Sequence, residues 1–194
     1  MPQRIALLLF PDAEVLDFAG PFEVFAVANE LRGGRAFEIS IVGLDASPVR
    51  ARHGFTVLPD HTLATCPPAE LLIIPGGRGA RALLRQPDVL AWVQARAARA
   101  EIVFSICTGS LILAQAGLLD GLTVTTHHTA LDFLADLAPH ATIDASKRFH
   151  DNGKIVTAAG ISAGIDAAIH LVARLLGPEA AQDTLREMEY TLQK

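Results

Sequence analysis

Five short runs, at residues 5–10, 37–42, 71–74, 102–104 and 154–157, divide the chain, and most are apolar at every position rather than at alternate ones. A strand is apolar throughout when both of its faces are covered, as in a parallel sheet with helices above and below. Helical stretches fall between the runs, at 21–31, 89–99, 109–116, 130–138, 163–176 and 179–192. The first opens on Pro21, a residue suited to the first position of a helix. Strand and helix therefore alternate, and the expected fold class is α/β, with a doubly wound, mostly parallel sheet and helices on both faces. Ligands in such folds bind outside the carboxyl ends of the strands, so functional residues should follow strands directly. The segment 49–58, with Arg50, Arg52, His53 and Gly54 around a short β pattern, reads as an exposed hairpin or edge element.

No linker or charge block divides the 194 residues, which read as one domain, 1–194. Sixteen Lys and Arg against 21 Asp and Glu give a net charge of −5. That balance argues against nucleic acid or an anionic membrane as a partner, because phosphate binding rests on Lys and Arg neutralisation. A small neutral or polar substrate is expected instead. The apolar run at 5–10 stops at Pro11-Asp12, too short for a signal sequence or a membrane span. Cys66 and Cys107 are the only cysteines and lack metal-type spacing, so neither a disulfide framework nor a metal site is expected, and a cytoplasmic location fits. Hydrophobic residues make up 51% of the chain, enough that some apolar surface should meet a second subunit, and a homodimer is expected.

The candidate chemistry centres on Cys107, where the run 102–106 ends and a helix begins, in the manner of a nucleophile elbow. The free N–H groups at a helix start favour thiolate over thiol; a small buried hydrophobe is an equally good reading of the position. Cys66 sits before Pro67-Pro68, where no helix can follow, and reads as structural. Asp17 lies among Val15, Leu16, Phe18 and Ala19, surroundings that would raise a carboxyl pKa, although considered alone it reads better as a cap for the helix at Pro21. Gly76 and Gly77 follow the run 71–74 and could turn N–H groups toward a developing anion, or form an ordinary tight turn. His127 and His128 close a β-like stretch at 124–126. Neighbours on a strand face opposite ways, so at most one should face a site. A solvated loop histidine remains the plainer reading of His127. Ser162 reads as a helix N-cap, with Asp166 in the first turn behind it.

Taken in order, Leu16-Asp17-Phe18-Ala19-Gly20-Pro21, Ile74-Pro75-Gly76-Gly77, Cys107-Thr108-Gly109-Ser110 and Gly160-Ile161-Ser162-Ala163-Gly164-Ile165-Asp166 resemble the PfpI/parkinsonism-associated deglycase superfamily. The resemblance spans nearly the whole chain and implies a flavodoxin-like, class I glutamine amidotransferase-like sandwich. An early aspartate combined with Cys-Thr-Gly-Ser is similar to the isonitrile hydratases within that group. The resemblance implies a lyase with Cys107 as nucleophile and Asp17 delivering a proton to form a thioimidate, which water converts to an N-substituted formamide. Thr108 with Gly76 and Gly77 would stabilise charge, and His127 matches a histidine found near the cysteine in related enzymes. Protease-like members carry a histidine directly after the cysteine; Thr108 stands there, so peptidase activity is not expected. Two alternatives stay open: a glyoxalase- or deglycase-like enzyme acting on reactive dicarbonyls, and a redox or small-ligand sensor. The latter resembles the sensor half of AraC-type regulators, whose helix-turn-helix half has no room before Lys194. No cofactor is implied.

Overall fold

The computed structural model describes residues 2–192. Its elements in chain order are β1 (Gln3–Leu9), α1 (Val15–Leu31), β2 (Phe37–Gly43), β3 (Val49–Arg50), β4 (Thr56–Val57), β5 (His61–Thr62), β6 (Leu71–Ile74), α2 (Ala80–Leu83), α3 (Pro87–Arg99), β7 (Ile102–Ile106), α4 (Gly109–Gln115), β8 (Thr123–Val124), α5 (Leu131–Leu137), β9 (Thr142–Ile143), β10 (Phe149–Asp151), β11 (Ile155–Ala158), α6 (Ala163–Leu176) and α7 (Pro178–Glu187). Seven strands form one sheet in the order β10-β11-β7-β6-β1-β2-β5, parallel except for β10, which pairs antiparallel with β11. The apolar runs are the strands, and the reason is visible in their burial. Leu7, Leu8 and Leu9 of β1, all four residues of β6 and all five of β7 are buried, with helices on either side. One helical layer is α1, α6 and α7 packed together; the other is α4 with α2, α3 and α5. The expected doubly wound α/β architecture is therefore present.

The chain leaves β1 in one direction toward β2 and in the other toward β6, β7 and β11. That reversal opens a crevice at the carboxyl ends of the central strands, the place where doubly wound folds bind ligands. The first turn of α1, carrying Asp17, and the loops after β6 and β7, carrying Gly76 and Cys107, converge there.

Several boundaries differ from expectation. Helix α1 begins at Val15, six residues before Pro21, which lies inside it. A proline so placed has no N–H to donate to the Asp17 carbonyl four residues back, and this turn runs close to α6, where a Cβ on Gly20 would lie 3.0 Å from Ile165 Cγ1. Helix α7 ends at Glu187 because Glu189 adopts φ 47° and turns the chain back, so that the Tyr190 hydroxyl donates to Asp166 Oδ1 at 2.8 Å. The expected hairpin is present as β3 and β4, and Arg52 at its tip pairs with Glu14.

Candidate active site

Cys107 sits at the end of β7 with φ 55°, in the left-handed region that a side chain rarely adopts. Its neighbours impose that conformation. The Cys107 N–H donates to the Ala158 and Ala159 carbonyls at 3.0 and 3.1 Å, and its carbonyl accepts from the hydroxyls of Thr126 at 2.8 Å and Ser110 at 3.1 Å. A Cβ at position 109 would run into the Ile74 and Pro75 carbonyls, so only glycine lets the turn pack this closely on β6. The elbow expected from sequence is thus present and clamped on both sides.

Directly beneath the sulfur lies Asp17, completely buried. It is the third residue of α1 and makes no cap; instead its Oδ2 accepts the Gly76 N–H at 3.0 Å. Oδ1 has no conventional hydrogen-bond partner, and the group coupled to the carboxyl is the Cys107 thiol. Burial pushes the carboxyl up to about 7, against the opposing pull of Cys107 and the Gly76 N–H. Burial also pushes the thiol up to about 12, with the Asp17 charge second, while the N–H groups of Thr108 and Ile161 draw it down. The expectation of a free thiolate at the start of α4 is therefore reversed, because desolvation and a neighbouring carboxylate outweigh the few N–H groups a short helix presents. Near neutrality the two groups share at least one proton and titrate as a pair.

The glycines also behave differently from expectation. The Gly76 N–H is taken by Asp17 and the Gly77 N–H donates to Thr108 Oγ1 at 2.9 Å, so neither is free to face a developing anion. The Thr108 hydroxyl donates in turn to the Gly77 carbonyl at 3.0 Å, so it is a structural tie between two loops rather than a group free to orient substrate. Gly76 is nevertheless indispensable sterically: a Cβ there would lie 2.7 Å from Thr108 Oγ1 and 2.9 Å from Asp17 Oδ2.

Cys107, Thr108, Gly77 and His127 share a cleft of about 290 Å³, at the small end of ligand pockets. His127 Nδ1 lies 2.8 Å from Thr129 Oγ1, and burial, then the neighbouring His128, lowers its pKa, so the ring is neutral at physiological pH. The two histidines do not face opposite ways as expected. β8 stops at Val124, residues 128–130 form a turn of 3-10 helix, and the two rings stand 4.3 Å apart. Sequence reasoning missed the rest of the lining: Glu14, Arg52, Arg78, Arg81, Thr129 and Ile161. Arg52 reaches in from the tip of the β3–β4 hairpin to pair with Glu14, and Ile161, at φ 51°, contributes an N–H to the sulfur. Ser162 stands at the start of α6 but its hydroxyl accepts from Arg148 rather than capping. Cys66 is buried away from this cleft and burial raises its pKa. Among the described residues no group of three His, Cys, Asp or Glu could hold a metal ion.

The sequence model of the DJ-1/PfpI family matches residues 3–174. The chain belongs to that family. The isonitrile hydratase of Pseudomonas putida is 35% identical over 190 residues, covering 98% of this chain and 79% of that enzyme. The transcriptional regulator GbdR of Pseudomonas aeruginosa is 29% identical over 92% of this chain, which spans about half of the regulator's length. Among solved structures, a ThiJ/PfpI family protein of Pseudomonas syringae superposes with a TM-score of 0.89 at 32% identity, covering all of this chain and 77% of that one. DJ-1beta of Drosophila melanogaster shares the fold, with a TM-score of 0.87 at 20% identity. Among the described residues no helix is long and apolar enough to cross a membrane.

Proposed function

We propose that the protein is a cysteine-dependent hydratase that adds water to an isonitrile, releasing an N-substituted formamide. The observation that carries this reading is the Asp17–Cys107 pair, a buried carboxyl lying against a thiol at the floor of the cleft, the carboxylate raising the thiol's proton affinity and the thiol bonding to the carboxyl. The 35% identical isonitrile hydratase supports it.

The terminal carbon of an isonitrile must receive both a nucleophile and a proton. As the Cys107 sulfur bonds to that carbon, the thiol proton passes to Asp17 and from there to the same carbon, giving a thioimidate and restoring the carboxylate. The N–H groups of Thr108 and Ile161 steady the sulfur while it carries charge. Water then adds to the thioimidate carbon from the cleft and gives its proton directly to the nitrogen. The tetrahedral adduct collapses to the formamide as the C–S bond breaks, with the hydroxyl proton returning to sulfur. No external acid, base or oxidant is required.

The test is incubation of the purified protein and of Cys107→Ser with an aryl isonitrile, following formamide by chromatography. Turnover by the wild type and none by the variant is expected. Absence of wild-type turnover, or equal rates in the two, would defeat the proposal.

A further inference from the structure

The cleft over Cys107 holds positive charge that the chemistry just described does not use. Three guanidinium groups line it, from Arg52, Arg78 and Arg81, against one carboxylate, Glu14. Arg52 and Glu14 satisfy each other in a direct ion pair. Arg78 and Arg81 enter none of the ion pairs or side-chain hydrogen bonds found among the described residues. The charge of Arg81 is felt inside the cleft, where it helps to lower the pKa of His127. A chain with a net charge of −5 thus presents a locally cationic mouth to its candidate nucleophile, the opposite of what its overall charge leads one to expect.

Both arginine side chains are exposed, yet the backbone that carries them is fixed. Gly77 is tied to Thr108 by two hydrogen bonds. The Gly79 N–H donates to the Asp12 carbonyl at 3.3 Å, and a Cβ at Gly79 would collide with Pro11. The Arg81 N–H donates to the Arg78 carbonyl at 3.4 Å, so the two side chains leave one turn three residues apart, on the same side. Two neighbouring guanidinium forks without a counter-ion suit a carboxylate, which both can bond through planar N–H donors. A dianion such as phosphate would meet stronger repulsion from the Asp17 carboxylate beneath the sulfur. The volume of about 290 Å³ limits the occupant to a small molecule.

We infer that the cleft takes a small carboxylate-bearing substrate, its carboxylate held by Arg78 and Arg81 and its reacting carbon placed at the Cys107 sulfur. This rests on the hydratase reading for the nature of the reacting carbon, and on the two arginines alone for the charge.

The charge can be read without any turnover. Iodoacetate and iodoacetamide alkylate thiols by the same displacement and differ only in carrying a carboxylate or an amide. Their relative rates at Cys107, followed by peptide mass spectrometry and divided by the same ratio for free glutathione, report the preference of the cleft. At low ionic strength a preference of about tenfold for iodoacetate is expected, fading with added salt and lost in R78Q/R81Q. A wild-type ratio at or below that of glutathione, or an unchanged ratio in the double variant, overturns the inference. A companion assay compares kcat/KM for 4-isocyanobenzoate and phenyl isonitrile. Higher kcat/KM for the carboxylate, abolished in R78Q/R81Q, is expected, and equal values overturn it. Failure of the hydratase reading shows separately, as an absence of turnover with both isonitriles while the alkylation preference persists.

Discussion

Replacing Asp17 by Asn isolates the energetic cost of the candidate proton carrier. The amide has the same shape and can still accept the Gly76 N–H through its oxygen, but it carries no titrating proton. In the folded chain the Asp17 carboxyl is pushed from its ordinary 3.8 to about 7, chiefly by burial. At pH values below 3.8 the group is protonated whether the chain is folded or not, and burial of the neutral acid carries no electrostatic penalty. Between 3.8 and 7 the folded state retains a proton that the unfolded state releases, so rising pH erodes stability; above 7 the full penalty applies. That displacement corresponds to about 4 kcal/mol. Whatever the amide costs in packing is the same at every pH, so the pH dependence of the difference between variant and wild type is the informative quantity. Denaturant unfolding of both proteins at pH 4 and pH 8 should show Asp17→Asn gaining up to about 4 kcal/mol relative to wild type between the two. The choice of pH 8 keeps the measurement below the range in which Cys107 titrates. The same variant should lose roughly 10²- to 10⁴-fold in isonitrile turnover, the usual weight of a positioned acid–base group. A stability difference that is identical at pH 4 and pH 8 would refute the raised carboxyl pKa, and undiminished turnover would refute its role.

Other expectations follow from the same geometry. Because the reaction begins from carboxylate and thiol, kcat/KM should rise with pH through an inflection near 7, set by Asp17; a flat profile from pH 5 to 9 would remove Asp17 from the proton path. Alkylation of Cys107 by iodoacetamide should still be accelerating at pH 10, since the thiol is pushed from 9.0 to about 12, and a rate that has levelled off by pH 10 would refute the raised thiol pKa. Gly76→Ala forces a methyl group against Thr108 and Asp17, so thermal unfolding should report a loss of about 1–3 kcal/mol and the formamide assay a turnover at least 100-fold lower. Thr108→Val strips the Gly77 N–H of its buried acceptor, which should destabilise the protein by about 1–3 kcal/mol in denaturant titration; an unchanged midpoint would mean the hydroxyl is not the tie described.

The fold was legible because burial on both faces writes itself into the sequence as unbroken apolar runs, and β6 and β7 bear that signature at every position. The start of α1 was not, since Pro21 is equally at home at the opening of a helix and within a helix whose other contacts hold it. For the site, the elbow at Cys107 could be read from a strand, a helix and an intervening glycine. The union of Asp17 with Cys107 could be read only from the resemblance of whole motifs, because residues ninety positions apart meet through strand order. The disposition of the Gly76 and Gly77 N–H groups was misread for a related reason: their partners, Asp17 and Thr108, come from other loops. Glu14, Arg52 and Arg78 lie in loops and turns and Arg81 in the single-turn helix α2, where sequence offers the same appearance to a solvated side chain and to one that lines a cleft.

The complete burial of Asp17 bears on where the formyl hydrogen of the product originates. A carboxyl with no solvent contact cannot trade hydrons with bulk water on its own; its route outward runs through the sulfur, and once that sulfur is bonded to substrate the route is closed. The hydrogen delivered to carbon is then the one the thiol held when the substrate arrived.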